Sequence, residues 1–190
     1  MAEPKKKPTD GEKEETASPV EPLRKALAAT WGFYVESQSF HWNVTGPNFV
    51  QLHDFFGQIY RDAQWATDDL AERVRTLGAY APMSPAEIGE QSGITFAEGD
   101  KPPDAQVMTR KLAADNLTVI AALDAAQKAA TGADEPGLAN YLQGRMDSHK
   151  KWGWQLDALL TEASVKDIAK RPRDTRLGEL LEKAGTKSSD

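Results

Sequence analysis

Apolar residues recur with helical spacing over long stretches of this chain, and this pattern constrains the fold more than any other feature. Between residues 49 and 77 they form one continuous stripe, as an amphipathic α-helix requires: Leu52, Phe55, Phe56, Ile59, Ala63, Ala66, Leu70 and Val74. Similar patterns predict helices from 23 to 42, from 104 to 130 and from 136 to 163. Four helices of this length indicate an all-α four-helix bundle.

The connections between these segments contain residues that interrupt helices. Gly46-Pro47 separates the first two helices, and Asn48 is suited to the N-cap of the second. The 79–103 connection is long, yet its SPAEIGEQ stretch from Ser84 predicts a capped short helix. The predicted fold is therefore an all-α four-helix bundle with a short helix in its middle crossover connection.

The composition supports one globular domain with a tail at each end. The chain has 190 residues, 39% of them hydrophobic, and the bundle should occupy residues 21–163. Residues 1–20 are rich in Lys, Glu and Pro and are predicted to be disordered. Residues 164–190 are predicted to be a second tail, in which LGELLEKAG has the pattern of a short helix.

Charge and cysteine content exclude several classes of function. There is no cysteine, so thiolate metal sites and disulfides are excluded. Neither a signal peptide nor a membrane span is recognisable, which predicts a cytoplasmic protein. The net charge of −6 argues against a generally basic nucleic-acid surface. Local basic clusters in the tails are the candidate DNA contacts, with solubilising tails as the alternative: Lys5, Lys6, Lys7, Lys170, Arg171 and Arg173.

Two histidines and two carboxylates are the candidate metal ligands. His41 and His53 lie on either side of the Gly-Pro-Asn turn, where a helical hairpin brings such positions together. Asp68 and Glu72 share one face of the second long helix. Asp68 lies about 22 Å along that helix from His53, so one copy does not close a site from all four groups. Two copies packed antiparallel about a two-fold axis would do so.

Trp65 and the ligand chemistry are consistent with such an interface. Trp65 is predicted on the side of its helix that faces away from the bundle core, where a large indole calls for a covering surface. Nitrogen and carboxylate ligands without thiolate suit iron, manganese or zinc, and an open carboxylate-rich site favours iron oxidation.

The chain resembles the Dps family, the DNA-binding proteins from starved cells, which are small relatives of ferritin. The resemblance covers residues 20–163 and is carried by three segments: FHWNVTGPNFVQLHD, DDLAERVRTLG and DSHKKWGWQLDALL. It implies a ferritin-like four-helix subunit with a short helix in the middle connection. Twelve such subunits would form a hollow dodecamer whose two-fold interfaces hold the ferroxidase sites. His41 and His53 would come from one chain and Asp68 and Glu72 from its partner. Iron(II) would be oxidised there, preferably by hydrogen peroxide, and the ferric product stored as mineral, which protects DNA.

One position departs from the family pattern. The family usually has an aspartate four residues after the second histidine, where this chain has Gly57. Gly57 is therefore predicted to be a vacant ligand position, and the site to be functional but altered in affinity or metal preference. Asp54 is a candidate mineral-nucleation ligand, and Trp42 matches a tryptophan that packs beside the iron site in relatives. His149 matches no family ligand and is interpreted as structural or as a surface residue.

Three functions from different classes remain open at this level. The first is a ferroxidase with iron storage, acting on Fe(II) and producing Fe(III), with zinc or manganese as other occupants of the site. The second is a cage that binds and compacts DNA, associated with the nucleoid, whose oxidation site Gly57 has weakened or disabled. The third is a structural cage with neither activity strongly developed.

Overall fold

The computed structural model describes residues 18–161, and they form five α-helices. These are α1 (Val20–Asn43), α2 (Phe49–Thr76), α3 (Pro85–Gln91), α4 (Ala105–Gly132) and α5 (Pro136–Leu160). No β-strand occurs within this part of the chain. The predicted all-α bundle with a short helix in the middle connection is confirmed. Across the same residues, none of the helices combines the length and the apolar character needed to cross a membrane.

The four long helices pack as two hairpins. Helices α1 and α2 are joined by a short turn and contact each other extensively, as do α4 and α5. The two hairpins meet mainly where α1 packs on α4, and α3 in the crossover connection packs against α1. Because each hairpin has a short connection, the end of α1 lies beside the start of α2. This arrangement places the two ends of the HWNVTGPNFVQLHD segment next to each other.

Local sequence signals explain where the helices begin and end. Ser84 accepts a hydrogen bond from the backbone N–H of Glu87 at 3.1 Å, which confirms the predicted cap of α3. Gly78 adopts a φ of 80° directly after α2, a conformation that favours glycine. Asn48 occupies the predicted N-cap position of α2, but its side chain makes no capping hydrogen bond. Helix α5 ends at Leu160, three residues earlier than predicted.

The predicted apolar stripes face the interior. The largest fully buried side chains include Phe33, Phe40, Phe56 and Ile59, which belong to the hydrophobic core. Burying side chains of this size stabilises each by about 1.5–3 kcal/mol relative to exposure. The opposite side of α2 is left open, and Trp65 on that side is 74% exposed.

Candidate metal centre

His41 and His53 are brought together at the α1–α2 turn. Their imidazole rings stack with centroids 3.8 Å apart and an interplanar angle of 23°. Each ring hydrogen-bonds the backbone of the other residue: His41 Nδ1–H donates to the carbonyl of His53 at 2.7 Å, and His53 Nδ1–H donates to the carbonyl of His41 at 2.8 Å. The His41 carbonyl is available because it belongs to the last turn of α1, where carbonyls lack helical partners.

These reciprocal bonds determine which ring nitrogens remain free to bind a metal. A carbonyl oxygen only accepts hydrogen bonds, so each Nδ1 must carry the hydrogen. In the neutral ring, Nε2 then carries the lone pair, which is the form that ligates a metal ion. Both rings are half-buried. The predicted pair therefore has the tautomer and the access that a metal ligand needs.

Aromatic rings surround the pair on its own chain. Phe49 lies 5.1 Å from the His53 ring, and Tyr60 lies 5.1 Å from the His41 ring. These contacts limit the rotation of both imidazoles. Trp42, predicted to pack beside the site, is 66% exposed in the single chain. Its predicted role therefore depends on a partner chain. Asp54 is also exposed, and its role in nucleation remains a prediction.

Gly57, the predicted vacant ligand position, lies against the His41 ring, and the space around it is not empty. A Cβ at position 57 would lie 3.2 Å from Cε1 and Nδ1 of His41, and also 3.2 Å from Nη1 of Arg61. Arg61 was missed in the sequence analysis, although it stands one helical turn after Gly57 on the same face. A cationic side chain thus reaches the position at which the resemblance predicts a carboxylate.

Asp68, Glu72 and Trp65 form the other half of the predicted site, further along α2. All three are exposed, and Trp65 and Asp68 line a pocket of about 440 Å³ together with Tyr34 of α1. Within residues 18–161 of one chain, no group of three or more histidine or acidic side chains is close enough to hold a metal ion. The assignment of these four ligands remains a prediction.

A partly buried polar network links α2 to α5, and no local sequence pattern predicted it. Arg145 donates two hydrogen bonds to Asp62, at 3.0 and 2.7 Å, and Trp152 donates a third at 3.1 Å. Burial disfavours the charged carboxylate, but these donors and the charge of Arg145 outweigh it and hold the pKa of Asp62 below its usual value. The network anchors α2 in the middle of the candidate site.

His149 is a structural residue and not a surface one. It is fully buried in α5, its Nδ1–H donates to Asn116 Oδ1 at 2.7 Å, and its carbonyl accepts a bond from the Asn116 amide. Its Nε2 has no hydrogen-bond partner. Burial and the nearby charge of Arg145 lower the pKa of His149 to about 3.

The candidate DNA contacts in both tails lie outside the described residues. Lys5, Lys6 and Lys7 precede residue 18, and Lys170, Arg171 and Arg173 follow residue 161. Binding of DNA by these residues therefore stays a prediction.

Comparison with known proteins identifies the family. The family model for the ferritin-like domain matches residues 20–164. A curated relative from Brevibacillus brevis, named DNA protection during starvation protein, is 34% identical over 138 residues, which cover 73% of this chain and 91% of the relative. A crystal structure of a Dps protein from Bacillus brevis has 31% identity and a TM-score of 0.71, covering 75% of this chain and 95% of that one.

A more distant structure extends the comparison. The Dps protein from Vibrio cholerae O1, described as a member of a broad superfamily of ferritin-like diiron-carboxylate proteins, has 25% identity and a TM-score of 0.70. The aligned region covers 75% of this chain and 89% of the Vibrio cholerae chain. Sequence and structural similarity both extend over nearly the whole bundle. This chain belongs to the Dps family within the ferritin-like superfamily.

Proposed function

We propose that this protein is a Dps-type ferroxidase that oxidises iron(II), preferably with hydrogen peroxide, at a site shared between two subunits. The ferric product is stored as a mineral inside a hollow dodecameric shell, and DNA is protected because both reactants of hydroxyl-radical formation are removed. The observation that carries the proposal is the stacked His41–His53 pair, with both Nε2 atoms free at the edge of an open face of α2.

The exposed side chains on that face support a shared site. Trp65 is a large apolar group that a second copy of α2 would cover, and Asp68 lies in the same pocket. An antiparallel partner brings its Asp68 and Glu72 level with the histidines of the first chain. Two imidazoles and two carboxylates then surround the ferrous substrate, and carboxylates stabilise ferric iron more than ferrous iron, which favours loss of an electron.

The reaction with peroxide takes one electron from each of two ferrous ions. The O–O bond breaks, two protons are taken up, and two water molecules and two ferric ions result. The protein holds the iron through neutral imidazoles, and the backbone carbonyls that accept from Nδ1 keep both rings in the ligating tautomer. Dioxygen is the alternative oxidant.

An iron titration tests the proposal directly. We expect saturable anaerobic binding of ferrous ion, followed by stopped-flow oxidation with peroxide that is much faster than without protein. Asp68→Asn should abolish the acceleration. Asp69→Asn is the matched control, because this neighbour accepts a hydrogen bond from Tyr141 and its amide retains the acceptor. Oxidation no faster than in buffer, or equal rates for the two variants, would contradict the proposal.

Mixed assemblies test whether the site draws on two chains. His53→Ala and Asp68→Ala should each be inactive alone. In a pair made of one His53→Ala chain and one Asp68→Ala chain, one site has His53 from the second chain and Asp68 from the first, and both are intact. The other site lacks both residues. Co-assembled variants should therefore recover part of the activity. If the mixture stays inactive while its assembly is normal, all ligands come from a single chain.

DNA is the second proposed partner, through the lysines and arginines of both tails. Contacts of this kind release counterions, so the affinity for DNA should fall steeply with salt concentration. A chain lacking residues 1–17 and 162–190 should lose the binding. Unchanged affinity of the shortened chain would show that the tails do not bind DNA.

A further inference from the structure

Arg61 lies beside His41, one of the proposed iron ligands, although no role in the site has been given to it so far. A Cβ placed on Gly57 would lie 3.2 Å from Arg61 Nη1 and 3.2 Å from His41 Nδ1. The two nitrogens are therefore separated by at most twice 3.2 Å. The side chain is exposed and has no carboxylate partner among the described ion pairs. The Arg61 guanidinium makes a cation–π interaction with the Tyr60 ring, with Cζ 5.1 Å from the ring centroid.

The register of the shared site brings this guanidinium towards the partner. If His53 faces residues 68–72 of an antiparallel second copy, then Gly57 faces residues 64–68 of that copy. The guanidinium beside Gly57 therefore lies level with Asp68 of the partner subunit. In that register the two-fold axis would cross α2 close to residue 61, and each of the two sites would receive one such arginine.

Charge then limits how many divalent ions a site accepts. The partner's Asp68 and the partner's Glu72 supply two negative charges, and Arg61 adds one positive charge. One ferrous ion leaves a net charge of plus one, whereas two leave plus three. A unit charge and a divalent ion roughly 6 Å apart repel enough to weaken binding by about tenfold even at the dielectric constant of water.

We propose that Arg61 takes the place of a second metal ion, so that each site holds one ferrous ion instead of two. Gly57 contributes by removing a carboxylate and by leaving the space that the guanidinium enters. The proposal rests on the shared site described above. Since peroxide takes two electrons on its way to water, each turnover draws its second electron from a ferrous ion held outside that site.

The test is the stoichiometry of metal binding by the assembled protein. Cobalt(II), which resists oxidation by air, is titrated calorimetrically, and its visible absorbance reports the coordination. We expect one tight equivalent per subunit for the wild type. In the double variant Gly57→Asp/Arg61→Gln, the site has three carboxylates and no arginine. With two divalent ions bound, its net charge is plus one, the same as that of the wild-type site with one ion. The double variant should bind two equivalents, the second at least tenfold more tightly than in the wild type.

Two matched variants separate charge from shape. Arg61→Lys retains the cation and should keep one equivalent, and Arg110→Gln removes an exposed arginine from α4 and should also keep one. Two tight equivalents in the wild type, or one in the correctly assembled double variant, would overturn the role of Arg61 while leaving the shared site intact. Absence of any saturable binding in the wild type would instead refute the proposed function itself.

Discussion

The buried imidazole of His149 should make the stability of the protein depend on pH between about 6.5 and 3. Its pKa is about 3 in the folded chain and 6.5 when exposed. The unfolded chain therefore binds a proton below pH 6.5 that the folded chain refuses, and stability falls as the pH decreases from about 6.5 towards 3. At about pH 5 the loss amounts to roughly 2 kcal/mol, because each pH unit below 6.5 contributes about 1.4 kcal/mol.

The variant His149→Asn isolates this effect. Asparagine retains a donor for the Asn116 oxygen but has no group that titrates, and it leaves a cavity beside Phe33. We expect the variant to be less stable than the wild type by about 1–3 kcal/mol near pH 7.5, in line with other losses of core volume. Near pH 5 this gap should narrow by about 2 kcal/mol, since only the wild type loses stability through the imidazole.

Denaturant unfolding measures the difference in the free energy of unfolding between His149→Asn and the wild type. Both proteins are studied at equal protomer concentration, so that subunit association contributes equally to both. The other titrating groups are the same in both chains and cancel in the difference. A gap that stays constant within about 0.5 kcal/mol between pH 7.5 and pH 5 would refute the reasoning, since it would mean that the folded protein accepts a proton at His149 as readily as the unfolded chain.

Two further predictions concern charged groups that are partly or fully buried. Arg145→Met leaves the Asp62 carboxylate without its two strongest donors, and we expect a loss of about 2–3 kcal/mol in the free energy of unfolding, whereas Asp62→Leu combined with Arg145→Leu should recover most of it. Glu36 is buried and accepts from the Ala97 N–H, and burial raises its pKa despite that bond and the nearby Lys111. The folded chain thus binds the proton of Glu36 more tightly than the unfolded chain, so the free energy of unfolding of the wild type falls as the pH rises above about 4.5. Glutamine does not titrate, so the variant Glu36→Gln should become more stable relative to the wild type over that pH range. The same unfolding assay measures the difference.

The helices and the histidine pair were predictable because their signals are local. Apolar stripes and turn residues place helix ends within a few positions, as the Ser84 cap and Gly78 show. His41 and His53 follow from the same logic, since a short turn between two long helices forces its flanking residues together. Periodicity also predicted that Trp65 lies on the side of α2 that faces away from the bundle core, and Trp65 is exposed there.

The parts that sequence reasoning missed depend on long-range packing or on a missing atom. Asp62 and Arg145 are 83 positions apart, and nothing in either local pattern indicates that they meet. Arg61 looks like an ordinary exposed residue, because its approach to His41 is possible only where Gly57 has no side chain. The proposed site needs a second chain, so its four predicted ligands rest on register and symmetry and not on contacts within one copy.

Gly57 therefore has a steric role besides the absence of a carboxylate, and Gly57→Ala separates the two. The His41 ring reaches the carbonyl of His53 across position 57, and an alanine Cβ there would press on Cε1 and Nδ1 at 3.2 Å. Arg61 has a flexible end and is able to move aside, whereas the His41 ring is held by its stacking and its hydrogen bond. We expect the alanine variant to loosen the pair and weaken cobalt(II) binding several-fold, although no ligand has been removed and Arg61 is still present. Affinity equal to that of the wild type would mean that the ring tolerates the shift, and that position 57 influences the site through charge alone.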